Sequence, residues 1–176
     1  MSKYKKIISK ENASLGFKFS VDDSKCDNPQ HYNDYIKFSA LQDLNDGLGV
    51  TYLYIEYIEE KQEEFIMGYV SLRMSSLIKD MGEDKKFGYP ALEIAELAVD
   101  KRYTNKHIGT DMVLDSINTA NLLNDTASVK YLVLCADPKA VEFYKKIDFN
   151  ELINETGEIP REHCNIRCTP MLIKLR

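Results

Sequence analysis

The sequence has no apolar run approaching the roughly 20 residues that a membrane-spanning helix needs, so a helical membrane protein is not expected. Cysteine is sparse. Cys26, Cys135, Cys164 and Cys168 are too few, in a chain of 176 residues, to form a disulfide framework. His163, Cys164 and Cys168 lie close together, but a C-x3-C spacing without a second pair is a poor zinc signature, and no metal is expected. Cys135 closes an apolar run and reads as a buried core thiol. There is no excess of positive charge. Lys and Arg number 23 against 28 Asp and Glu, a formal net charge of -5, which argues against nonspecific binding of nucleic acid or membrane by the chain as a whole. The stretch "MSKYKKIISKENASLGF" is basic but lacks the apolar segment of a signal peptide, so a cytoplasmic protein is expected. No repeat, low-complexity tract or interdomain linker is visible, and one domain over residues 1–176 is the expectation.

What is present is an alternation of strand and helix signals. After an expected N-terminal strand, "HYNDYIKFSALQDL" spaces its apolar residues as a helix. "GVTYLYIEYIEE" and "EEFIMGYVSLRMSSL" are rich in β-branched and aromatic residues and read as a hairpin joined through "EKQE", with a loop following over "IKDMGEDKKFGYP". "ALEIAELAV" is a third strand. Val113, Ile117, Ala120 and Leu123 then recur on one helical face. "VKYLVLCA" reads as a strand buried on both faces, and "DPKAVEFYKKI" as a helix capped by Asp137 with Pro138 in its first turn. "TPMLIKLR" closes the series. This order predicts an α/β (α+β) fold, with a mixed central sheet and helices on both faces.

The stretch "YTNKHIGTDM", residues 103–112, sits where a strand gives way to a helix. Free backbone N–H groups at such a helix start, aided by its dipole, suit a phosphate. Lys101, Arg102, Lys106 and His107 add positive or protonatable side chains, and Gly109 allows close backbone approach. An ordinary helix start with solvated basic residues explains the same stretch equally well.

Taken with "ADPKAVEFYKKIDF", the pattern resembles the GNAT acetyltransferase superfamily, most closely the branch containing toxin-type members that acetylate tRNA. The likeness runs over about residues 91–149. It implies a mostly antiparallel GNAT sheet and acetyl-coenzyme A as cosubstrate. Thr104 then takes the Q/R position of the family loop, His107 its first glycine and Gly109 the next small position. Asn105, Lys106, His107, Ile108, Gly109 and Thr110 would meet the pyrophosphate, while Leu97, Ala98 and Val99 would pair with the pantetheine arm. Asp137 stands where the family prefers Asn, and Ala140 and Tyr144 match it. His107 and Asp148 replace glycines, which a side chain permits if the backbone there keeps φ < 0.

The transfer needs a neutral amine and a proton for the departing thiolate. Tyr144 could donate that proton, since the reference pKa of Tyr, about 10, is close to that of a thiol, about 8.5. The Val99 amide would hold the oxyanion. Glu93, eleven residues before Thr104, stands where histone-type members carry a catalytic base, and Glu96 is the other candidate; strand alternation puts the two on opposite faces. A salt-bridged Glu, or no base at all, is equally in keeping with the family. The acceptor is expected to be a primary amine of a small molecule or peptide. The reasoning is that Lys101, Arg102, Lys106, Lys139, Lys145 and Lys146 would serve the coenzyme phosphates and leave little positive surface for RNA. Aminoacyl-tRNA, with an antitoxin as partner, is the alternative, as is a fold that only binds coenzyme A or a partner; a homodimer is compatible with each.

Overall fold

The computed structural model describes residues 2–152, 158–159 and 168–175. Its strands are β1 (Ser2–Ile7), β2 (Val50–Ile58), β3 (Glu63–Asp80), β4 (Lys86–Val99), β5 (Tyr131–Ala136), β6 (Asn150–Glu151) and β7 (Thr169–Lys174). They hydrogen-bond in the order β1-β2-β3-β4-β5-β7-β6. The β1–β2, β2–β3, β5–β7 and β6–β7 pairs are antiparallel, and β4–β5 is parallel. The sheet is therefore mixed and mostly antiparallel, as expected. The helices are α1 (Pro29–Asp34), α2 (Ala40–Asn45), α3 (Ile108–Ala127) and α4 (Val141–Lys145). Among the described residues no helix is long and apolar enough to cross a membrane.

The chain divides into two compact units, one of Met1–Leu72 and Glu96–Val113, the other of Arg73–Ala95 and Leu114–Arg176. The first unit has a core of Ile8, Phe19, Val21, Ile36, Ala40, Leu53, Ile55, Ile66, Tyr69 and Ala98. Strand β2 is buried on both faces, from Leu53 through Glu56. Its register with β3 slips between Tyr54, opposite Gly68, and Ile55, opposite Ile66. Met67 is thereby passed over, and its carbonyl accepts from the Asp100 N–H at 2.9 Å, tying down the chain just past the end of β4. The second unit centres on Leu77, Ala91, Val133 and Ile159. There β4 pairs with β5 over Ala91–Ile94, and β4 continues to Val99 beyond its last such pair.

Three expectations change. The loop expected over residues 78–90 shrinks to a turn, because β3 runs to Asp80 and β4 begins at Lys86. Residues 86–90 are almost wholly exposed, so they lack the apolar alternation by which a half-buried strand is recognised. The helix expected over 31–44 is α1 and α2 joined by a π-turn at Tyr35–Ser39, where the Ala40 N–H bonds back to the Tyr35 carbonyl. Cys135 is only half-buried. It lies opposite Pro170 of β7, towards the end of the strand, while Leu132, Val133 and Leu134 fill the core.

Candidate acetyl-transfer site

Asp100 is the anchor of the loop that follows β4. Its carboxylate is fully buried. It caps the 3-10 turn Lys101–Tyr103 by accepting from the Arg102 N–H at 2.9 Å, and it accepts from the Ser20 N–H at 3.0 Å. The Arg102 guanidinium grips it from Nε (2.7 Å) and Nη2 (2.9 Å), donates to the Lys18 carbonyl, and lies 4.8 Å from the centre of the Phe65 ring. This pairing holds the guanidinium above its ordinary pKa. Arg102 is thus committed to the fold, which corrects its expected place among the phosphate-binding cations. Tyr103 is buried and donates to Glu56 Oε2 at 2.6 Å. Burial first, then this carboxylate, raises the phenol well above its usual pKa. Neither Asp100 nor the Glu56–Tyr103 pair stands out in the sequence. The one local sign is a cap-forming Asp at the end of an apolar strand, two residues before an Arg.

Beyond that turn the backbone changes hand. Asn105 has φ 60° and His107 φ 61°, with Lys106 between them in the ordinary region. The condition that His107 keep φ < 0 is therefore not met. The chain makes the left-handed turn where the family has glycine, using His and Asn, two residue types enriched in that region. Alternation of hand turns successive N–H groups towards one concave side, a geometry suited to anions. Helix α3 begins at Ile108, and the Asp111 N–H bonds to the His107 carbonyl at 3.0 Å. The N–H groups of Ile108, Gly109 and Thr110 precede that bond and have no acceptor within the helix. Gly109 lies inside the first helical turn with no left-handed φ, so its value is small size. The Ile108 side chain is buried, the Thr104 hydroxyl donates to the Lys101 carbonyl (3.2 Å), and the Lys106 ammonium lies 5.0 Å from the centre of the Tyr103 ring. A row of amides at a helix start, with Lys106 beside it, fits a diphosphate. On β4, Ala98 faces the core, while Leu97 and Val99 are half-buried.

The two carboxylates of β4 have different partners. Both oxygens of the buried Glu93 accept from Arg73, at 3.0 Å from Nε and 2.9 Å from Nη2. This bidentate pair engages one lone pair on each oxygen and fixes the carboxylate against Arg73. Glu96 Oε1 lies 2.8 Å from His31 Nε2.

In the second unit, Asp137 accepts from the Lys139 N–H (3.0 Å) and caps a 3-10 turn at Pro138–Ala140 that leads into α4. Tyr144 is buried, with the Phe143 and Phe149 rings at 5.0 and 5.7 Å. Lys145 bridges Glu151 (2.8 Å) and Glu142 (3.1 Å), contacts that raise its pKa, so a second expected phosphate cation already has two carboxylate partners. Helix α4 ends in a Schellman motif: the Phe149 N–H bonds to the Tyr144 carbonyl and the Asp148 N–H to that of Lys145. Asp148 occupies its left-handed position with φ 64°, so here too the expected φ < 0 is overturned. Asp148→Gly is expected to raise the unfolding free energy by about 0.5–1 kcal/mol, since glycine relieves the left-handed strain and loses part of the gain to chain entropy. Urea denaturation monitored by circular dichroism measures it; a destabilised variant would mean that the Asp148 side chain stabilises the cap. His163 and Cys164 lie outside the described residues. Among the described residues no cluster of three or more His, Cys, Asp or Glu is placed to hold a metal.

A family model, that of the acetyltransferase (GNAT) family, matches residues 18–149, and the chain belongs to that family. No curated protein matches the chain in sequence. Among solved structures, it is similar to AtaTR bound with AcCoA, with 15% identity, a TM-score of 0.70, and coverage of 98% of this chain and 92% of that one. The KacTA–DNA complex gives 16% identity and a TM-score of 0.68 over 98% and 93%. AtaT complexed with acetyl-methionyl-tRNAfMet gives 14% and 0.71 over 98% and 95%. At such identities the likeness is one of fold.

Proposed function

We propose that this acetyltransferase moves an acetyl group from acetyl-coenzyme A to the primary amine of a small molecule or peptide. The observation carrying the reading is the alternating-hand loop that leads to the three amides opening α3. In this reading the amides of Asn105 through Thr110 bind the pyrophosphate, with Lys106 adding charge, and the β4 backbone at Leu97, Ala98 and Val99 aligns the pantetheine arm. Bound acetyl-coenzyme A supplies the thioester as acyl donor. The Val99 N–H faces the carbonyl oxygen, where charge develops. The Tyr144 hydroxyl gives its proton to the departing sulfur. Asp137 and Ala140 shape the turn that leads to Tyr144. Glu93, gripped by Arg73, has a structural part in this scheme rather than that of base.

The chain's net charge of -5 supports the acceptor class. So does the commitment of Arg102 and Lys145 to carboxylates, which leaves fewer cations for a nucleic acid. A second reading, the amino group of aminoacyl-tRNA with an antitoxin as partner, is favoured by the likeness to AtaT, solved with acetyl-methionyl-tRNAfMet and, as a mutant toxin, with the C-terminus of the antitoxin AtaR. Labelled acetyl-coenzyme A offered in parallel with spermidine, a lysine peptide and bulk aminoacyl-tRNA separates the two. Label in spermidine or peptide is expected; salt-sensitive label confined to the tRNA would replace the first reading by the second.

A further inference from the structure

We infer that His31, held by Glu96, is the proton acceptor for the attacking amine. The inference rests on the reading that β4 aligns the thioester at Leu97–Val99, because Glu96 is the next residue on that strand. His31 lies in the first turn of α1, and the Asn28 side chain caps that turn by accepting from the His31 N–H. Its ring meets Glu96 Oε1 at 2.8 Å through Nε2. The Glu96 side chain is 15% exposed and the imidazole 44%, so the carboxylate is the sheltered member of the pair and the ring the more exposed. The bond to Glu96 fixes the tautomer: the proton sits on Nε2, and Nδ1 carries the basic lone pair. This is the base-plus-orienter arrangement of nucleophile-activating sites.

Two further features agree. His31 lines an open depression of about 340 Å³ with Asn28, Gln30, Asp34, Tyr35 and Ser39, a concavity that admits a small amine. Two of its lining residues, Tyr35 and Ser39, are the ends of the π-turn Tyr35–Ser39, a rare element that occurs frequently at functional sites. Tyr35 is held in place: its hydroxyl donates to Asp43 (2.9 Å) and meets Ser71 Oγ at 2.9 Å, and burial pushes its pKa up to about 12.

The step balances. The amine nitrogen forms a bond to the acetyl carbon, the carbon–sulfur bond breaks, and the amine proton passes to His31 Nδ1 directly or through one water. The sulfur receives its proton from Tyr144 under the scheme above. Among the described residues, the charged and titratable groups around the ring include Glu96 from β4, Asp34 and Tyr35 from its own helical segment, and Tyr32, whose ring meets it edge-on at 5.3 Å. Tyr69 of β3 lies behind them: burial, then Glu96, Tyr35, Tyr32 and Cys26, raise its phenol. Of these, Glu96 and Asp34 carry negative charge.

The test follows kcat/KM against pH, with spermidine, lysine peptide and aminoacyl-tRNA each as acceptor, in the wild type, His31→Gln and Glu96→Gln. Calorimetry of acetyl-coenzyme A binding runs alongside. His31→Gln is expected to lower kcat/KM by about 100-fold and to remove the enzyme's part of the acid limb, with coenzyme affinity intact. Using the same amine throughout cancels the amine's own titration. The chain has three histidines, so proton NMR with the His31→Gln spectrum as subtraction follows the His31 ring itself. In Glu96→Gln its titration and the acid limb are expected to move together to lower pH, which a merely structural pair would not produce. An acid limb retained in His31→Gln, with binding intact, removes the dyad alone. A wild type that neither binds acetyl-coenzyme A nor labels any acceptor overturns the dyad and the reading beneath it.

Discussion

Tyr144→Phe is expected to lower turnover by about 100- to 10,000-fold, the range over which positioned acids act, and to leave acetyl-coenzyme A affinity almost unchanged. The substitution removes one oxygen and keeps the ring, so the packing against Phe143 and Phe149 survives. Loss of kcat together with kcat/KM, at constant affinity, is the signature of an interaction made only in the transition state. Single-turnover kinetics on a variant with a wild-type circular dichroism spectrum reads this directly. Wild-type turnover would reduce Tyr144 to a packing residue and leave the leaving group to be protonated by solvent.

The largest effect on stability is expected at Asp100. Asp100→Ala leaves the Arg102 guanidinium and the Ser20 and Arg102 amides without their shared acceptor, at a site fully shut off from solvent. Removing one partner of a buried ion pair costs about 3–5 kcal/mol. Arg102 is partly exposed and can turn to water, so the lower end, about 3 kcal/mol, is expected. At 2–4 °C per kcal/mol for a chain of this size, the melting temperature should fall by about 10 °C. The same change loosens the loop over 101–107, so coenzyme affinity should fall while the variant is still folded. Asp100→Asn, which keeps the shape and one acceptor, should lose less. A shift of under about 2 °C for Asp100→Ala would show that the carboxylate carries no such weight.

The element order around the candidate site was legible because strand, loop, helix, strand and tyrosine-bearing helix follow one another at a characteristic spacing between residues 91 and 149. The capping signals of Asp137 and Pro138, read as the start of a helix, open a 3-10 turn at Pro138–Ala140, and the α-helix itself begins only at Val141. What stayed hidden depends on partners far away in the sequence. Asp100 reaches back to Ser20, Tyr103 to Glu56, and Glu96 to His31. The ends of β3 and β4 were missed because exposed strand carries no apolar alternation. At His107 and Asp148 the sequence departs from glycine while the backbone keeps a left-handed turn. Neighbouring hydrogen bonds and the helix ends decide that conformation, and residue identity alone does not display it.

In the proposed function the loop from Thr104 to Thr110 receives the diphosphate of acetyl-coenzyme A. The most direct measurement is calorimetric titration of acetyl-coenzyme A into the wild type and Gly109→Val, each first shown to be folded by circular dichroism. Saturable one-site binding to the wild type is expected, with affinity weakened by about tenfold or more in the variant, as a branched side chain keeps the phosphates from the amides. Equal affinity in a well-folded Gly109→Val, or no binding to the wild type, would contradict it.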